Sequence, residues 1–405
     1  MRTLNSKSAS PTAAWPEALL PARLDQVAEA TPFLITDCGT IEQRYRRLVE
    51  LVEGLGVFYA VKCNSSHGVI STLARMGSGF EIASLYELNM VTAAGVDPRQ
   101  VLYSNTVKPA HHVAAAFAEG VYRFAFDSEA ELRKLAVKAP GASVYVRLTV
   151  DDHRSLFPLS KKFGTSVEDG CRLLLLARDL GLVPYGLMFH VGSQCTDPLA
   201  WRRAIARCSV VLQELDRRGV RLEMLNLGGG LPARYVDPVP NIEKIAEVIK
   251  RALESLPYRP PLLCAEPGRY LVAESAVLAA SVIGVEDRGR ERWAYLDVGG
   301  YNGLMEALQT GGRWHFPMST SRSDQSTVPH VPFTVTGPSC DSSDTIFYGA
   351  SLPATLDVGD RVYIGSTGAY TLSYASSFNG FPPPTPLFAR VLGDRWVVNA
   401  ALAAV

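Results

Sequence analysis

Short apolar segments alternate with amphipathic ones from about residue 33 to residue 270, and this alternation constrains the fold more than any other feature. The apolar segments are rich in β-branched and aromatic residues, which is typical of buried parallel strands. Repeated strand–helix alternation predicts an α/β fold, and this many units favours a closed (β/α)8 barrel of the TIM type. The predicted strands are FLITD (33–37), VFYAVKC (57–63), GFEIAS (79–84), VLYSN (101–105), RFAFDS (123–128), SVYVRLTV (143–150), PYGLMFHVG (184–192), EMLNLGG (223–229) and PLLCAEPG (261–268).

The pattern changes after residue 270. Segments such as SAVLAASVIGVED, VPFTVTGPSC and LDVGDRVYIGS indicate strands joined by turns with little helix between them. We therefore expect three parts: a lead-in over 1–32 that partly joins the β-domain, a barrel over 33–270, and an antiparallel β-domain over 271–405.

Composition excludes several classes of function. Forty basic and forty acidic residues cancel, so no net field favours nucleic acid or an anionic membrane. No apolar stretch approaches the roughly 20 residues that a membrane-spanning helix needs. Seven scattered cysteines without a CxxC pair, and histidines without ligand spacing, indicate reduced thiols and no metal site. A cytoplasmic protein that binds neither nucleic acid nor membrane is expected.

Several reactive residues stand at the carboxyl ends of predicted strands, where barrels gather their active sites. Lys62 is either a salt-bridged rim lysine or an amine desolvated to a lower pKa for Schiff-base chemistry. Gly228–Gly230 form either a tight turn or a nest of N–H groups facing a phosphate. Glu266 is either an ion-paired carboxylate or the partner of a protonated ring nitrogen. His190 and, further along, Cys340 are by themselves more typical of core residues.

Six motifs in order resemble one family. The motifs are YAVKCN (59–64), FHVGSQ (189–194), NLGGG (226–230), EPGRY (266–270), GPSCDSSD (337–344) and GAYTLSYASSFNGF (368–381). Together they resemble the ornithine/lysine/arginine decarboxylases, which are fold type III enzymes dependent on pyridoxal 5′-phosphate (PLP). The resemblance spans about residues 30 to 390. It implies α-decarboxylation of an L-amino acid to an amine and CO2, as in amino-acid metabolism and polyamine biosynthesis.

The resemblance also implies roles for individual residues. Lys62 would carry PLP as a Schiff base, His190 would stack on the ring, and Glu266 would pair with the ring nitrogen. That pairing strengthens the ring as an electron sink. The implied cofactor-binding residues are Lys62, Glu81, Arg147, His190, Ser193, Gly228, Gly229, Gly230, Glu266, Arg269 and Tyr370, with Glu87 following Glu81 in the same pattern.

The family typically forms homodimers with shared active sites. Cys340 would reprotonate the substrate Cα from the partner subunit, and Asp341 would contact the distal end of the substrate, where Phe378 is also expected. Relatives that act on ornithine or lysine carry a further acidic residue where this chain has the neutral Gln309 or Thr310. A buried ammonium without a counter-charge is costly. Either Asp341 suffices alone, or the distal group is neutral or modified, as in citrulline.

Two alternatives remain open. An amino-acid racemase shares the barrel and the lysine, but racemases of that type place an arginine near the ring nitrogen, so Glu266 counts against this alternative. A catalytically inactive homologue would act as a regulatory binding protein. Such proteins tend to lose the cofactor ligands or the partner cysteine, whereas Lys62, His190, Glu266 and Cys340 are all present here.

Overall fold

A computed structural model describes residues 15–321, 328–392 and 395–400, so the first fourteen residues of the predicted lead-in lie outside the described part. The chain divides into two compact units. The first comprises residues 1–41, 233–238 and 272–405, and the second comprises residues 42–232 and 239–271.

Nineteen strands are present in the described part of the chain. They are β1 (Phe33–Asp37), β2 (Leu55–Ala60), β3 (Gly79–Ile82), β4 (Val101–Tyr103), β5 (Arg123–Phe126), β6 (Ser143–Arg147), β7 (Ser155–Phe157), β8 (Val183–Met188), β9 (Ser193–Cys195), β10 (Met224–Asn226), β11 (Leu262–Ala265), β12 (Ala276–Arg288), β13 (Glu291–Leu296), β14 (Met318–Thr320), β15 (His330–Thr336), β16 (Thr345–Pro353), β17 (Arg361–Gly365), β18 (Thr385–Leu392) and β19 (Arg395–Asn399).

Helices lie between many of the strands, most of them in the first two-thirds of the chain. They are α1 (Pro21–Leu24), α2 (Cys38–Leu51), α3 (His67–Arg75), α4 (Leu85–Ala93), α5 (Ala110–Ala118), α6 (Glu129–Lys138), α7 (Val167–Asp179), α8 (Leu199–Arg217), α9 (Ile242–Leu253), α10 (Arg269–Val272) and α11 (Met305–Gln309). Serines that end strand motifs cap two of them. The Ser84 hydroxyl accepts the N–H of Glu87 at the start of α4, and Ser128 does the same for Glu131 in α6.

The second unit holds the predicted closed barrel. Its eight strands pair in parallel in the order β10–β11–β2–β3–β4–β5–β6–β8. Eight of the nine predicted strand segments therefore form the barrel. The ninth assignment was wrong, because β1 pairs with β12 and β18 of the other sheet. Its burial on every residue resembles that of a barrel strand, so apolar content alone could not separate the two.

A layer of side chains fills the barrel. Phe58, Leu102, Ala125, Tyr145, Met188, Met224 and Cys264 form one buried cluster, each from a different strand. A Cβ on Gly79 would lie 2.5 Å from the Phe58 ring, so the missing side chain at Gly79 makes room for that ring. Large and small residues interlock in this way to close the barrel interior.

The first unit contains a sheet along the path β16–β15–β13–β12–β1–β18–β19, with β14 and β17 completing it. The predicted antiparallel arrangement needs one correction. β1 runs parallel to β18, and β13 runs parallel to β15, so the sheet is mixed. Residues from 15–27 pack in its core with β1. The unit thus takes strands from both sides of the barrel sequence, which differs from the predicted boundary at residue 33.

No helix in the described ranges is long and apolar enough to cross a membrane. Within the same ranges, no three His, Cys, Asp or Glu side chains form a group that could hold a metal ion.

Candidate active site

Polar residues cluster at the carboxyl ends of the barrel strands because of strand periodicity. Residues two apart on a strand share a face, so the next inward position after the apolar layer faces the same interior. The pairs are Leu102 and Ser104, Ala125 and Asp127, Tyr145 and Arg147, Met188 and His190, Met224 and Asn226, and Cys264 and Glu266. The sequence predicted three of these polar residues, and the spacing from the apolar layer identifies the others.

Lys62 lies in a single 3-10 turn, Val61–Cys63, directly after β2. Its Nζ contacts Oε2 of Glu81, which is only 2% exposed. Burial works to lower the pKa of Lys62, but attraction to Glu81 and Glu266 outweighs it and raises the pKa. Of the two alternatives for Lys62, the structure shows the salt-bridged lysine, because the charges of Glu81 and Glu266 outweigh the effect of burial on its pKa.

Glu266 is buried and held on one oxygen. Ser104 Oγ donates to its Oε1 at 2.5 Å, and Asn226 Nδ2 donates to the same atom at 2.7 Å. The Tyr145 hydroxyl lies 2.7 Å from Ser104 Oγ. Burial and the charge of Glu81 raise the pKa of Glu266 to about 7. The carboxyl group is poised to be ionised when a cationic partner faces it.

A third carboxylate, Glu87, belongs to the same charge cluster. Its Oε2 accepts the backbone N–H of Ala83 at 2.6 Å. Burial and the charge of Glu81 raise the pKa of Glu87 to about 7. Three carboxylates thus act on one lysine, and two of them titrate near neutrality.

His190 is a neutral imidazole. Its Nδ1 accepts the backbone N–H of Gly192 at 3.0 Å, which leaves the ring proton on Nε2. Burial and the positive charges of Arg147 and Lys62 lower its pKa well below the usual range. The ring can therefore stack on a planar group without bringing a charge.

Arg147 carries a buried positive charge at the end of β6 and is 8% exposed. Its guanidinium stands 4.9 Å from the centre of the Phe163 ring. Burial lowers the pKa of Arg147, while Glu266 and Asp127 favour its charged form. Arg147 thus adds a fixed positive charge, besides that of Lys62, to the acidic groups of the barrel interior.

The glycines after β10 are required by close backbone approach. Gly228 and Gly230 have φ of 62° and 99°. A Cβ on Gly228 would lie 1.9 Å from the carbonyl oxygen of Phe189, and one on Gly229 would lie 2.9 Å from His190 Nε2. The buried Arg269 donates through Nη2 to Ser193 Oγ at 3.1 Å. A glycine loop and a buried guanidinium together are suited to an anion such as phosphate.

The residues predicted for the partner-supplied part of the site belong to the first unit. Cys340 is exposed, and both its backbone N–H and its thiol donate to Asn379 Oδ1, at 3.1 and 3.4 Å. Asp341 Oδ2 accepts the Tyr301 hydroxyl at 2.7 Å. The Phe378 ring lies 4.7 Å from the Tyr301 ring. Contacts through Asn379 and Tyr301 therefore connect Cys340, Asp341 and Phe378.

The remaining predicted residues lie in the first unit as well. The Thr310 hydroxyl donates to the carbonyl oxygens of Glu306 and Ala307, at 3.1 and 2.9 Å. Gln309 ends α11. Tyr370 has a positive φ of 62°, and its ring stacks on Tyr374 with centres 5.7 Å apart.

Sequence patterns assigned no role to five residues of the site, although two of them lie within quoted motifs: Ser104, Asn226, Tyr145, Tyr301 and Asn379. The spacing of two residues from the barrel core could have identified Ser104 and Asn226, and Tyr145 is itself a core-layer residue. Tyr301 and Asn379 act through contacts between segments far apart in the chain, 40 and 39 residues from their partners. No local pattern marks such contacts.

Comparison with known proteins gives the family. The family model described as "Pyridoxal-dependent decarboxylase, pyridoxal binding domain" matches residues 38–273. A lysine/ornithine decarboxylase of Selenomonas ruminantium is 35% identical over 361 residues, which are 88% of this chain and 90% of that protein. An antizyme inhibitor 2 of Xenopus laevis is 34% identical over 373 residues, covering 88% of this chain and 81% of that protein.

A solved structure agrees in fold. The crystal structure of SrLDC in complex with PLP and cadaverine has a TM-score of 0.82 and 32% identity, and the alignment covers 94% of each chain. The fold class and the family resemblance are both confirmed. The chain therefore belongs to the pyridoxal-dependent amino-acid decarboxylases, enzymes whose cofactor is PLP.

Proposed function

We propose that this chain removes the α-carboxyl group of an L-amino acid of the ornithine, lysine or arginine type. The observation that carries the proposal is the ion pair of Lys62 with the buried Glu81, together with the buried Glu266, at the carboxyl ends of the barrel strands. Lys62 supplies an amine that can react with the carbonyl group of a cofactor. Glu266 supplies a carboxylate with a raised pKa that can pair with a protonated ring nitrogen. Bound PLP supplies an electron sink for the electron pair left when CO2 departs.

The residues present fit PLP on structural grounds. Gly228 to Gly230 leave a cradle that any Cβ would fill, and Arg269 with Ser193 lies in the same unit. In this proposal they hold the phosphate. His190, neutral and with its tautomer fixed by Gly192, packs against the ring.

Glu266 would hold a proton on the cofactor's ring nitrogen. Its Oε1 is occupied by Ser104 and Asn226, which fixes the plane of the carboxyl group. Because burial raises its pKa to about 7, the ionised form gains strongly from a positive partner. The raised pKa of Glu266 is thus consistent with a buried carboxylate whose positive partner, the protonated ring nitrogen, arrives with the cofactor.

Lys62 must lose a proton before its nitrogen can attack a carbonyl carbon, since the charged amine has no free electron pair. Glu81 contacts that amine and is the nearest acceptor. We assign Glu81, with Glu87 behind it, the task of moving this proton, and Arg147 the task of balancing the negative charge.

The distal end of the substrate would meet Asp341. Hydrogen bonds from the Ser343 N–H and the Tyr301 hydroxyl lower the pKa of Asp341, so its carboxylate is ionised. A fixed anion favours a distal group rich in N–H donors, as ornithine, lysine and arginine have. Phe378 would add apolar contact to the aliphatic part.

A homodimer with shared sites completes this proposal. Cys340 and Asp341 of the partner subunit would serve the barrel of the first. Cys340 is exposed, as a thiol offered to another chain would be.

A second candidate substrate is an amino acid with a neutral ureido end, such as citrulline. The observation that favours it is Thr310, where relatives carry an acidic residue, and whose hydroxyl is bound to its own helix. A panel of ornithine, lysine, arginine and citrulline, read by amine formation and CO2 release, separates the two candidates through their kcat/KM values.

The cofactor attachment has a direct test. The purified protein should be yellow, and borohydride reduction should fix the pyridoxyl group on the Lys62 peptide. A colourless protein that does not take up added PLP would contradict the assignment. Formation of amine would also exclude the alternative that this chain is a catalytically inactive homologue.

A further inference from the structure

We propose that Asn379 is a positioning residue that fixes the direction of the S–H bond of Cys340. The inference rests on the proposed role of Cys340 as the proton donor to the substrate. Asn379 belongs to a short turn, Phe378–Gly380, that is 39 residues from Cys340 in sequence.

One oxygen atom of Asn379 accepts two hydrogen bonds from the same residue. The backbone N–H of Cys340 lies 3.1 Å from Asn379 Oδ1, and the Cys340 sulfur lies 3.4 Å from it. An amide oxygen accepts and does not donate, so the proton in the second contact must sit on sulfur. The contact therefore fixes the direction of the S–H bond.

The backbone of Asn379 is suited to this task. Its φ and ψ are 54° and 15°, the left-handed region, which asparagine tolerates better than other residues with a Cβ. This conformation lets the amide turn back toward Cys340 while Phe378 packs on Tyr301. Tyr301 in turn donates to Asp341. The turn thus fixes the donor thiol and the carboxylate for the distal group on one frame.

The proton step shows why direction matters. The S–H bond of Cys340 breaks, a C–H bond forms at Cα, and the sulfur keeps the electron pair until water returns a proton. If the thiol is turned away, the cofactor carbon would take a proton instead. One water molecule would then supply the oxygen of an aldehyde product, and the substrate nitrogen would stay on the cofactor as pyridoxamine phosphate.

Two variants distinguish a role of Asn379 in positioning the Cys340 thiol from a role in the stability of the turn. Asn379→Gly removes the oxygen and suits the left-handed backbone, so the turn should keep its shape. Asn379→Asp keeps an acceptor oxygen and adds a negative charge. Three readouts are taken on the PLP-loaded protein: the amine-to-aldehyde ratio, the rate of Cys340 alkylation by iodoacetamide at one pH, and the melting temperature.

For Asn379→Gly we expect the aldehyde fraction to rise about three- to tenfold, as the loss of one hydrogen bond allows. Its Cys340 should be alkylated faster, because the Asn379 oxygen no longer holds the thiol, with the melting temperature nearly unchanged. For Asn379→Asp we expect a product ratio and an alkylation rate near wild type, because an acceptor oxygen is kept.

The outcomes distinguish the inference from the proposed function. If Cys340→Ala forms amine at the wild-type rate, Cys340 is not the donor and the proposed function loses that step. If Cys340→Ala diverts the product but Asn379→Gly behaves like wild type in ratio and alkylation, only the Asn379 inference is overturned. A lowered melting temperature without any change in alkylation, or an Asp variant that behaves like the Gly variant, also overturns it.

Discussion

The barrel interior and the Cys340–Asp341 loop arrange reactive groups in different ways. In the barrel, Glu81 and Glu266 are 2% and 4% exposed; Glu81 lies on β3, and Glu266 directly follows β11 and is held by Ser104 and Asn226. In the loop, Cys340 is exposed and depends on a side chain from another turn. Damage in the barrel should therefore abolish cofactor chemistry, whereas damage in the loop should redirect it.

The largest effect is expected at Lys62. Lys62→Ala should lower the rate of amine formation by about a thousandfold or more, since it removes the proposed attachment point of the cofactor. Lys62→Arg, which keeps the charge facing Glu81 but cannot form the same bond, is the matched control. Both variants should lose the yellow colour, while only the alanine variant loses the positive charge. Appreciable activity in Lys62→Ala would show that a change in the barrel interior does not abolish the cofactor chemistry.

Cys340→Ala should have the next largest effect. Amine formation should fall by about a hundredfold, in the range that general acid catalysis contributes. Aldehyde and pyridoxamine phosphate should accumulate together in equal amounts, measured by chromatography. Cys171→Ala, a change of a partly exposed cysteine on helix α7, is the control and should give amine only.

A mixture of the two inactive variants tests whether the loop serves another chain. After subunit exchange between Lys62→Ala and Cys340→Ala, half of the dimers are mixed, and each mixed dimer has one intact site. Activity should rise from background to about one quarter of the wild-type value. Proven exchange without recovery would mean that each site is built within one chain.

A change at Thr310 tests which side-chain group of the substrate the protein prefers. Thr310→Asp should raise kcat/KM for ornithine or lysine relative to citrulline by about tenfold or more, as a charged hydrogen bond allows. Thr310→Asn has a similar size and no charge, so it should leave the ratio near wild type. If the unmodified protein already prefers ornithine or lysine with ordinary family efficiency, Asp341 alone serves the ammonium.

The smallest effect concerns the hydrogen bonds of Glu266. PLP binding to the cofactor-free protein should weaken as pH falls through about 7, because Glu266 takes up a proton there. Ser104 favours the ionised carboxylate, so Ser104→Ala should raise the pKa of Glu266 and move this loss to higher pH, with a change of about tenfold or less in affinity. Tyr145→Phe removes the hydroxyl behind Ser104 and should shift the curve less. Fluorescence titration at several pH values measures both.

The two regions also differ in how far sequence could predict them. Lys62, His190 and Glu266 follow buried strands, so strand pattern and motif order were enough to bring them together. β1 was misassigned because a strand buried on both faces has the same apolar pattern in either sheet. The raised pKa of Lys62 depends on charges that meet only after the barrel closes. The Asn379 contact is likewise invisible to any local pattern.

The position of β1 has a consequence for how the chain is made. β1 lies between β12 and β18, yet it leaves the ribosome before any residue of the barrel unit and must wait for partners that follow more than two hundred residues later. Pairing over such a distance is slow because a long loop must close first. The barrel sequence can condense while synthesis continues. A fragment that begins at residue 272 would lack the strand that joins β12 to β18, and we expect it not to fold alone.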